Sequence, residues 1–375
     1  GCVSAAVKRF LRGFLSGWGG RTLVAVLLGA IKGRAPPPKL FGDPDALRFG
    51  MFMGLLCGTY SGTRCTLKAL RGADSRSHAA IAGAVASLSI LVDKPARHAS
   101  VSLYLVCRAC HVGIHTWMRK GVIPRVPYIA MVLFAFANTF IMYAGMLEPE
   151  LLDPSYYAFM RRVGNLTHVG LEWTMREPWR ASLANPSLPY DFRPCDHLFH
   201  PNKSCVEFSV NELFSIALRC VRVYAPVHIV PMLLFRFKAI ARNPLLFVSI
   251  AATAVGKSSA FLTLYITIMK LTLCSMRHLR KRDDSLHPVL GGALTGFALL
   301  VEQRKRASEL MLFCLPRALE IAYALLERRG LAKRFYRGEL FVFAVAMSLT
   351  LALPRQDFKP TYQAVLKFLF GPEPL

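Results

Sequence analysis

The chain has 375 residues, of which 54% are hydrophobic and 18% charged, and its mean hydropathy is +0.37. That balance is too apolar for an ordinary water-soluble domain and makes a bilayer the natural solvent. Lys and Arg outnumber Asp and Glu by 47 to 22, a net +25; without zinc-finger spacing or an aromatic-studded basic strand, this charge speaks against nucleic acid and for anionic lipid head groups.

No cleavable signal sequence is expected at Gly1-Cys2-Val3, where no basic stretch leads into a short apolar core and a small-residue cleavage site. Apolar segments follow at 14–31, 49–61, 78–92 and 101–117. The clearest span is Tyr128 to Leu147, twenty residues without a formal charge, between Arg119, Lys120 and Arg125 on one side and Glu148, Glu150 and Asp153 on the other. Twenty helical residues at about 1.5 Å each cross a hydrocarbon core of about 30 Å. Between Glu148 and Cys205, charges of both signs and Pro154, Pro178, Pro186, Pro189, Pro194 and Pro201 interrupt any run of spanning length. This predicts a central polar loop at 161–205 between a transmembrane repeat at 1–160 and a second at 206–375. The sequons Asn165-Leu166-Thr167 and Asn202-Lys203-Ser204 fall in this stretch and matter only in a secretory compartment. Apolar segments resume at 213–235, 245–274, 288–301, 310–326 and 340–353. Several carry Arg, Lys or Glu, so those faces are expected against other helices or a polar cavity.

Setting residue n against n+209 from Asp74 to Gly121 aligns forty-eight positions without a gap. Twelve are identical: Asp74, His78, Gly83, Ala84, Leu91, Val92, Arg97, Leu103, Arg108, Ala109, Arg119 and Gly121 recur as Asp283, His287, Gly292, Ala293, Leu300, Val301, Arg306, Leu312, Arg317, Ala318, Arg328 and Gly330. Asp153-Pro154-Ser155-Tyr156 is echoed by Lys359-Pro360-Thr361-Tyr362 after a shift of three residues. Both basic connectors, Arg119 to Arg125 and Arg328 to Arg337, precede an uncharged span, so positive charge on one membrane face makes the repeats parallel. The expected fold is an all-α, multi-pass transmembrane helical bundle of two parallel repeats.

Gly50, Gly54, Gly58 and Gly62 recur every fourth residue and form a strip without side chains, where another helix can approach closely; Gly83, Gly292 and Gly296 extend the theme. Arg97, Arg108, Lys257, Arg306 and Arg317 sit among apolar residues, which implies either a polar groove for lipid or pairing within the bundle and at the interface. Cys195, His197, His200 and Cys205 are four zinc-compatible residues at a spacing foreign to common zinc motifs, so a redox pair or a plain loop stands beside metal. The ten cysteines lie mostly in apolar segments and do not read as a secreted disulfide framework. No nucleophile elbow, metalloprotease helix, phosphate-binding loop or Rossmann fingerprint is present, so neither catalysis nor a cofactor is expected. His111, His115 and Glu320 do not form a recognisable catalytic set.

Gly50-Met51-Phe52-Met53-Gly54, Gly58-Thr59-Tyr60-Ser61-Gly62, Cys65, the run His78 to Gly83, Ser102 to Leu105, Gly121 with Pro124, and Pro154-Ser155-Tyr156 carry a family likeness. Together they resemble the transmembrane protein 135 family, also called the peroxisomal membrane protein of 52 kDa. Cys195, His200-Pro201, Ser204-Cys205 and Val223-Tyr224-Ala225-Pro226 resemble that family's cysteine-containing module, here placed between the glycine-rich halves. The glycine-strip helices are also similar to the Tim-type mitochondrial translocase superfamily. The resemblance implies a non-enzymatic multi-pass membrane protein of peroxisome or mitochondrion, active in organelle homeostasis or lipid and metabolite movement. The alternative is a structural subunit of a large mitochondrial inner-membrane complex, respiratory or translocase, docking through the glycine-lined helices. The expected partners are anionic membrane lipids and, in the second case, other complex subunits.

Overall fold

A computed structural model describes residues 1–31, 42–124, 126–187, 189–195, 204–333 and 335–372. The described residues are helical, without a strand. In chain order the helices are α1 (Cys2–Ile31), α2 (Pro44–Arg71), α3 (Arg76–Ala86), α4 (Pro95–Arg119), α5 (Ile129–Met146), α6 (Pro154–Gly164), α7 (His168–Leu171), α8 (Glu177–Ala184), α9 (Cys205–Arg242), α10 (Pro244–Arg280), α11 (Leu286–Leu294), α12 (Arg304–Arg328), α13 (Gly338–Ala352) and α14 (Pro360–Phe370). Short 3₁₀ segments continue α3 through Ser87–Val92 and α11 through Thr295–Val301.

Three described stretches are long and apolar enough to cross a membrane: Ile129–Met146, Cys205–Val230 and Pro244–Arg280. The apolar stretches Arg76–Val92, Leu286–Val301 and Gly338–Ala352 are shorter helices. At about 1.5 Å per residue, the fifteen residues of α13 reach only about 22 Å, less than a full hydrocarbon core.

The chain forms two compact units, and they do not follow the order of the sequence. Unit 1 is Gly1–Val126 with Lys333–Leu375, and unit 2 is Pro127–Ala332. The bounds at 160 and 205 read from composition therefore differ from the compact units. The physical cause is an exchange of helices: α5 packs on α11 and α12, whereas α13 packs on α3 and α4.

Elements recur at the same offset as the sequence matches. Helices α4 and α12 each have 25 residues and begin 209 positions apart, at Pro95 and Arg304. Gly121 and Gly330 follow them with positive φ, 74° and 69°; then Tyr128 and Arg337, also at positive φ, cap the N-termini of α5 and α13. After the three-residue shift, α6 and α14 are again equal at 11 residues. The contacts recur too. Arg119 at the end of α4 pairs with Asp357 at 2.6 Å, and Arg328 at the end of α12 pairs with Glu148 at 2.5 Å. Each cation thus holds an acid that lies just beyond the exchanged span.

In unit 1 the core joins Phe52, Leu56 and Tyr60 of α2 to Phe343, Met347 and Leu351 of α13. The glycine strip of α2 meets α1: a side chain at Gly50 would run into Trp18 and Phe14, and one at Gly54 or Gly58 into Phe10. Gly62 faces only Ala6, at ordinary contact distance. A Cys2–Cys65 disulfide, with Cα atoms 5.6 Å apart, joins the same two helices. Sequence spacing did not predict it, because only the antiparallel pairing of α1 and α2 brings the two residues together. Gly83 lies against the Met347 backbone of α13, while Gly292 and Gly296 lie against Asn138 and Ala135 of α5.

Candidate functional site

Unit 2 holds a partly open cavity of about 310 Å³ between α5, α6, α9, α10 and α12, at the small end of natural ligand pockets. Most of its wall is apolar, including Phe134 and Met142 of α5, Tyr156 of α6, and Phe261, Tyr265 and Met269 of α10. Phe134 meets Phe261 and Tyr265 edge to face, with ring centroids 5.9 and 6.0 Å apart. The Tyr265 hydroxyl donates to Asn138 Oδ1 at 2.5 Å, and Asn138 Nδ2 donates to the Phe134 carbonyl at 2.7 Å. The Tyr265 hydroxyl on the wall is therefore paired with the buried Asn138 amide within apolar surroundings.

Cations stand on the same wall: Arg161 of α6, and Lys270 and Arg277 of α10. They are not equivalent. Arg277 is fully engaged, because it grips Asp283 through Nε (2.5 Å) and Nη2 (3.0 Å), and donates to the carbonyls of Thr174 (3.0 Å) and Arg193 (2.9 Å) and to Cys195 Sγ (2.7 Å). Lys270 pairs with Glu212 at 2.5 Å, but that carboxylate also accepts from Arg219 at 2.9 Å and from the Asn165 amide at 2.7 Å. Arg161 stacks over the Tyr157 ring at 5.1 Å, and its buried Nε has no hydrogen-bond partner. Lys270 and Arg219 therefore share the Glu212 carboxylate, and Arg161 adds a third cation beside them, leaving the site with a positive excess that an anion would satisfy.

A second buried guanidinium supports the frame. Arg176 is fully buried and donates to the Gly145 and Met146 carbonyls at the C-terminus of α5 (2.9 and 2.8 Å) and to the Tyr157 hydroxyl (2.7 Å). It satisfies carbonyls that the end of a helix leaves open. In unit 1, Asp74, the residue matched to Asp283, takes Arg64 from the preceding helix at 2.5 Å; these hydrogen bonds hold the Asp74 carboxyl below its ordinary range.

The cations singled out from sequence lie elsewhere. In unit 1, Arg97 pairs with Asp93 and with Asp45 (2.9 Å), and buried Arg108 donates to the Tyr104 hydroxyl (2.7 Å) and stacks over Tyr362 (4.2 Å). In unit 2, Arg306 pairs with Glu302 (3.5 Å) over Tyr224, Arg317 with Glu320 (3.0 Å) over Tyr156, and Lys257 is exposed on α10. Arg97 and Arg108 thus belong to unit 1, and Lys257, Arg306 and Arg317 to unit 2. Arg306 and Arg317 back the cavity, since Tyr224 and Tyr156 are among its walls. Lys270 carried a legible signal that spacing alone did not rank: it is a charge inside a spanning segment.

Of the predicted Cys/His segment, Cys195 and Cys205 come together and are joined by Cys274 of α10; the three sulfurs lie within 4.8 Å of one another. His197 and His200 lie outside the described residues. His111 and His115 face each other on α4 at 3.2 Å in unit 1, whereas Glu320 belongs to unit 2.

No protein-family model matches the chain, and no solved structure matches it. The chemistry of the cavity therefore carries the functional argument. An apolar chamber with an incompletely neutralised cationic wall suits an amphiphile with an anionic head.

Proposed function

We propose that this chain is a non-enzymatic, multi-pass organelle membrane protein that binds, and moves, an amphiphilic lipid or metabolite through the cavity of unit 2. The observation that carries this reading is Arg161, whose buried Nε has no hydrogen-bond partner and which stands with Lys270 on a mostly apolar wall. The head group, a carboxylate or phosphate, would bridge Arg161 and Lys270, and the apolar body would lie along Phe134, Phe261 and Met269. The resemblance to the transmembrane protein 135 family supports a peroxisomal or mitochondrial membrane and a part in homeostasis of those organelles. The recurrence of elements at a fixed offset supports two parallel, Tim-like repeats of one ancestral design. The alternative of a structural subunit docking through glycine-lined helices has less to stand on, since the side-chain space at Gly50, Gly54 and Gly58 is filled by α1.

The test uses the full chain in lipid nanodiscs with a photoreactive long-chain fatty acid. Cross-links are expected on α6 and α10 peptides, competed by unlabelled fatty acid. Arg161→Met should weaken the carboxylate-headed probe by about tenfold or more, the loss of one charge-assisted hydrogen bond, and leave the matching fatty alcohol unchanged. Labelling that is not competed, or an equal loss for both probes, would sink the reading. Flux of the same solute into liposomes, above that of empty vesicles, separates moving it from merely holding it.

A further inference from the structure

We propose that Cys195, Cys205 and Cys274 form a binding site for a thiophilic divalent cation of the zinc class. Three parts of the chain converge to build it: the non-helical segment 189–195, the first residue of α9, and the C-terminal part of α10. Their sulfurs lie within 4.8 Å of one another. Zinc–sulfur bonds of about 2.3 Å in a tetrahedron require sulfurs roughly 3.8 Å apart, which small side-chain rotations supply from this starting geometry. None of the three is disulfide-bonded, Cys195 is buried, and Cys205 and Cys274 are half-buried.

The surroundings complete the case. Arg277, one turn beyond Cys274, donates from Nη1 to Cys195 Sγ at 2.7 Å. Its other donors are fixed by Asp283 and by the Thr174 and Arg193 carbonyls, so the guanidinium is aimed at the sulfur and held there. Three thiolates around a divalent cation carry a net charge of minus one. A fixed guanidinium on one of them offsets that charge and orients the ligand, as second-sphere partners of metal sites do. Thiolate ligands select zinc-class ions over magnesium or calcium. On binding, each thiol gives its proton to solvent, three metal–sulfur bonds replace three metal–water bonds, and no electron is transferred. The fourth position is left to water or an exogenous donor. Cys195, Cys274 and Arg277 also line the cavity, but metal binding at the three sulfurs requires no lipid there. It also differs from the four residues read from sequence, because Cys274 lies far along the chain and reaches the cluster only through the fold.

The experiment uses the full chain, purified in nanodiscs under a non-thiol reductant, stripped with chelator and reloaded with zinc. Elemental analysis is expected to find about one zinc per chain. That zinc should fall to background in Cys274→Ser and Cys195→Ser and persist in Cys314→Ser, which removes a cavity-wall thiol outside the cluster. Cobalt loading should produce thiolate-to-metal charge-transfer absorption that Cys274→Ser abolishes. A further measurement needs no variant: zinc should shield three thiols of the wild-type chain from alkylation, and chelator should expose them again. Zinc at background in the reduced wild-type chain, equal zinc in Cys274→Ser, or alkylation of the three thiols regardless of metal would each overturn the site. So would peptide mapping that finds two of them joined as a disulfide in metal-free protein trapped at extraction.

Discussion

A methyl group added at Gly292 would overlap the Asn138 carbonyl of α5, and at Gly83 it would come within 2.9 Å of the Met347 carbonyl oxygen of α13. Both obstacles are backbone and cannot rotate away, so the helices themselves would have to separate. Gly256 on α10 is a different case, with nothing within 4 Å of an added methyl. There alanine only removes the conformational freedom that glycine brings to a helix. Gly292→Ala should therefore destabilise the protein by about 1–3 kcal/mol through overpacking. Gly256→Ala should be neutral or stabilising by up to about 1 kcal/mol. Thermal unfolding of the two variants in one detergent decides this, and equal midpoints would contradict the close approach of α11 to α5. The spacing of Gly83 and Gly292 was visible in the sequence. What each glycine touches was not, because its partner helix lies in the other half of the chain.

At the scale of elements, legibility follows the length and purity of the apolar run. Helix α5 was readable almost to its ends, since basic residues stop it on one side and acids on the other. The equal lengths of α4 and α12 followed the n+209 match, because Pro95 and the Lys94 and Gln303 positions start them in the same register. Arg76–Val92 and Leu286–Val301 were harder, because their apolar stretches pass from α-helix into 3₁₀ turns, a change that composition does not encode. The cationic wall and its carboxylate were the least legible features: Arg161, Lys270 and Glu212 come from three helices, and Arg161 lies outside the stretches apolar and long enough to span that hold the other two. The spanning character of α5 can be tested at its middle. Phe136 is half exposed on that helix, and an arginine near the centre of a spanning helix costs about 2.5–3.5 kcal/mol on insertion scales. Phe136→Arg should lower the insertion equilibrium constant of α5 in a glycosylation reporter by about 70- to 400-fold. Unchanged insertion would place that face of the helix in a polar environment.

For the whole molecule, the exchange of α5 and α13 has a consequence for how the chain must fold. Unit 1 cannot close until Lys333–Leu375 has been made, and unit 2 needs Pro127 onward as well as α9 to α12. Neither half of the sequence holds a complete unit. Contacts between segments so distant in sequence carry a loop-closure cost that grows only slowly with length, so covalent continuity through the central loop is not itself the source of stability. The loop can therefore be cut while the packing survives. Residues 1–203 and 204–375, expressed separately, should each be protease-sensitive and polydisperse in detergent, because α3 and α4 would lack α13 while α11 and α12 would lack α5. Co-expressed, they should purify together at one-to-one stoichiometry with helicity and thermal midpoint close to those of the intact chain. Two stable, monodisperse halves obtained alone would mean that each repeat closes on its own span, and the interleaved units would then be wrong. Failure to co-purify while both halves remain soluble would show that the link between α8 and α9 contributes more than connection.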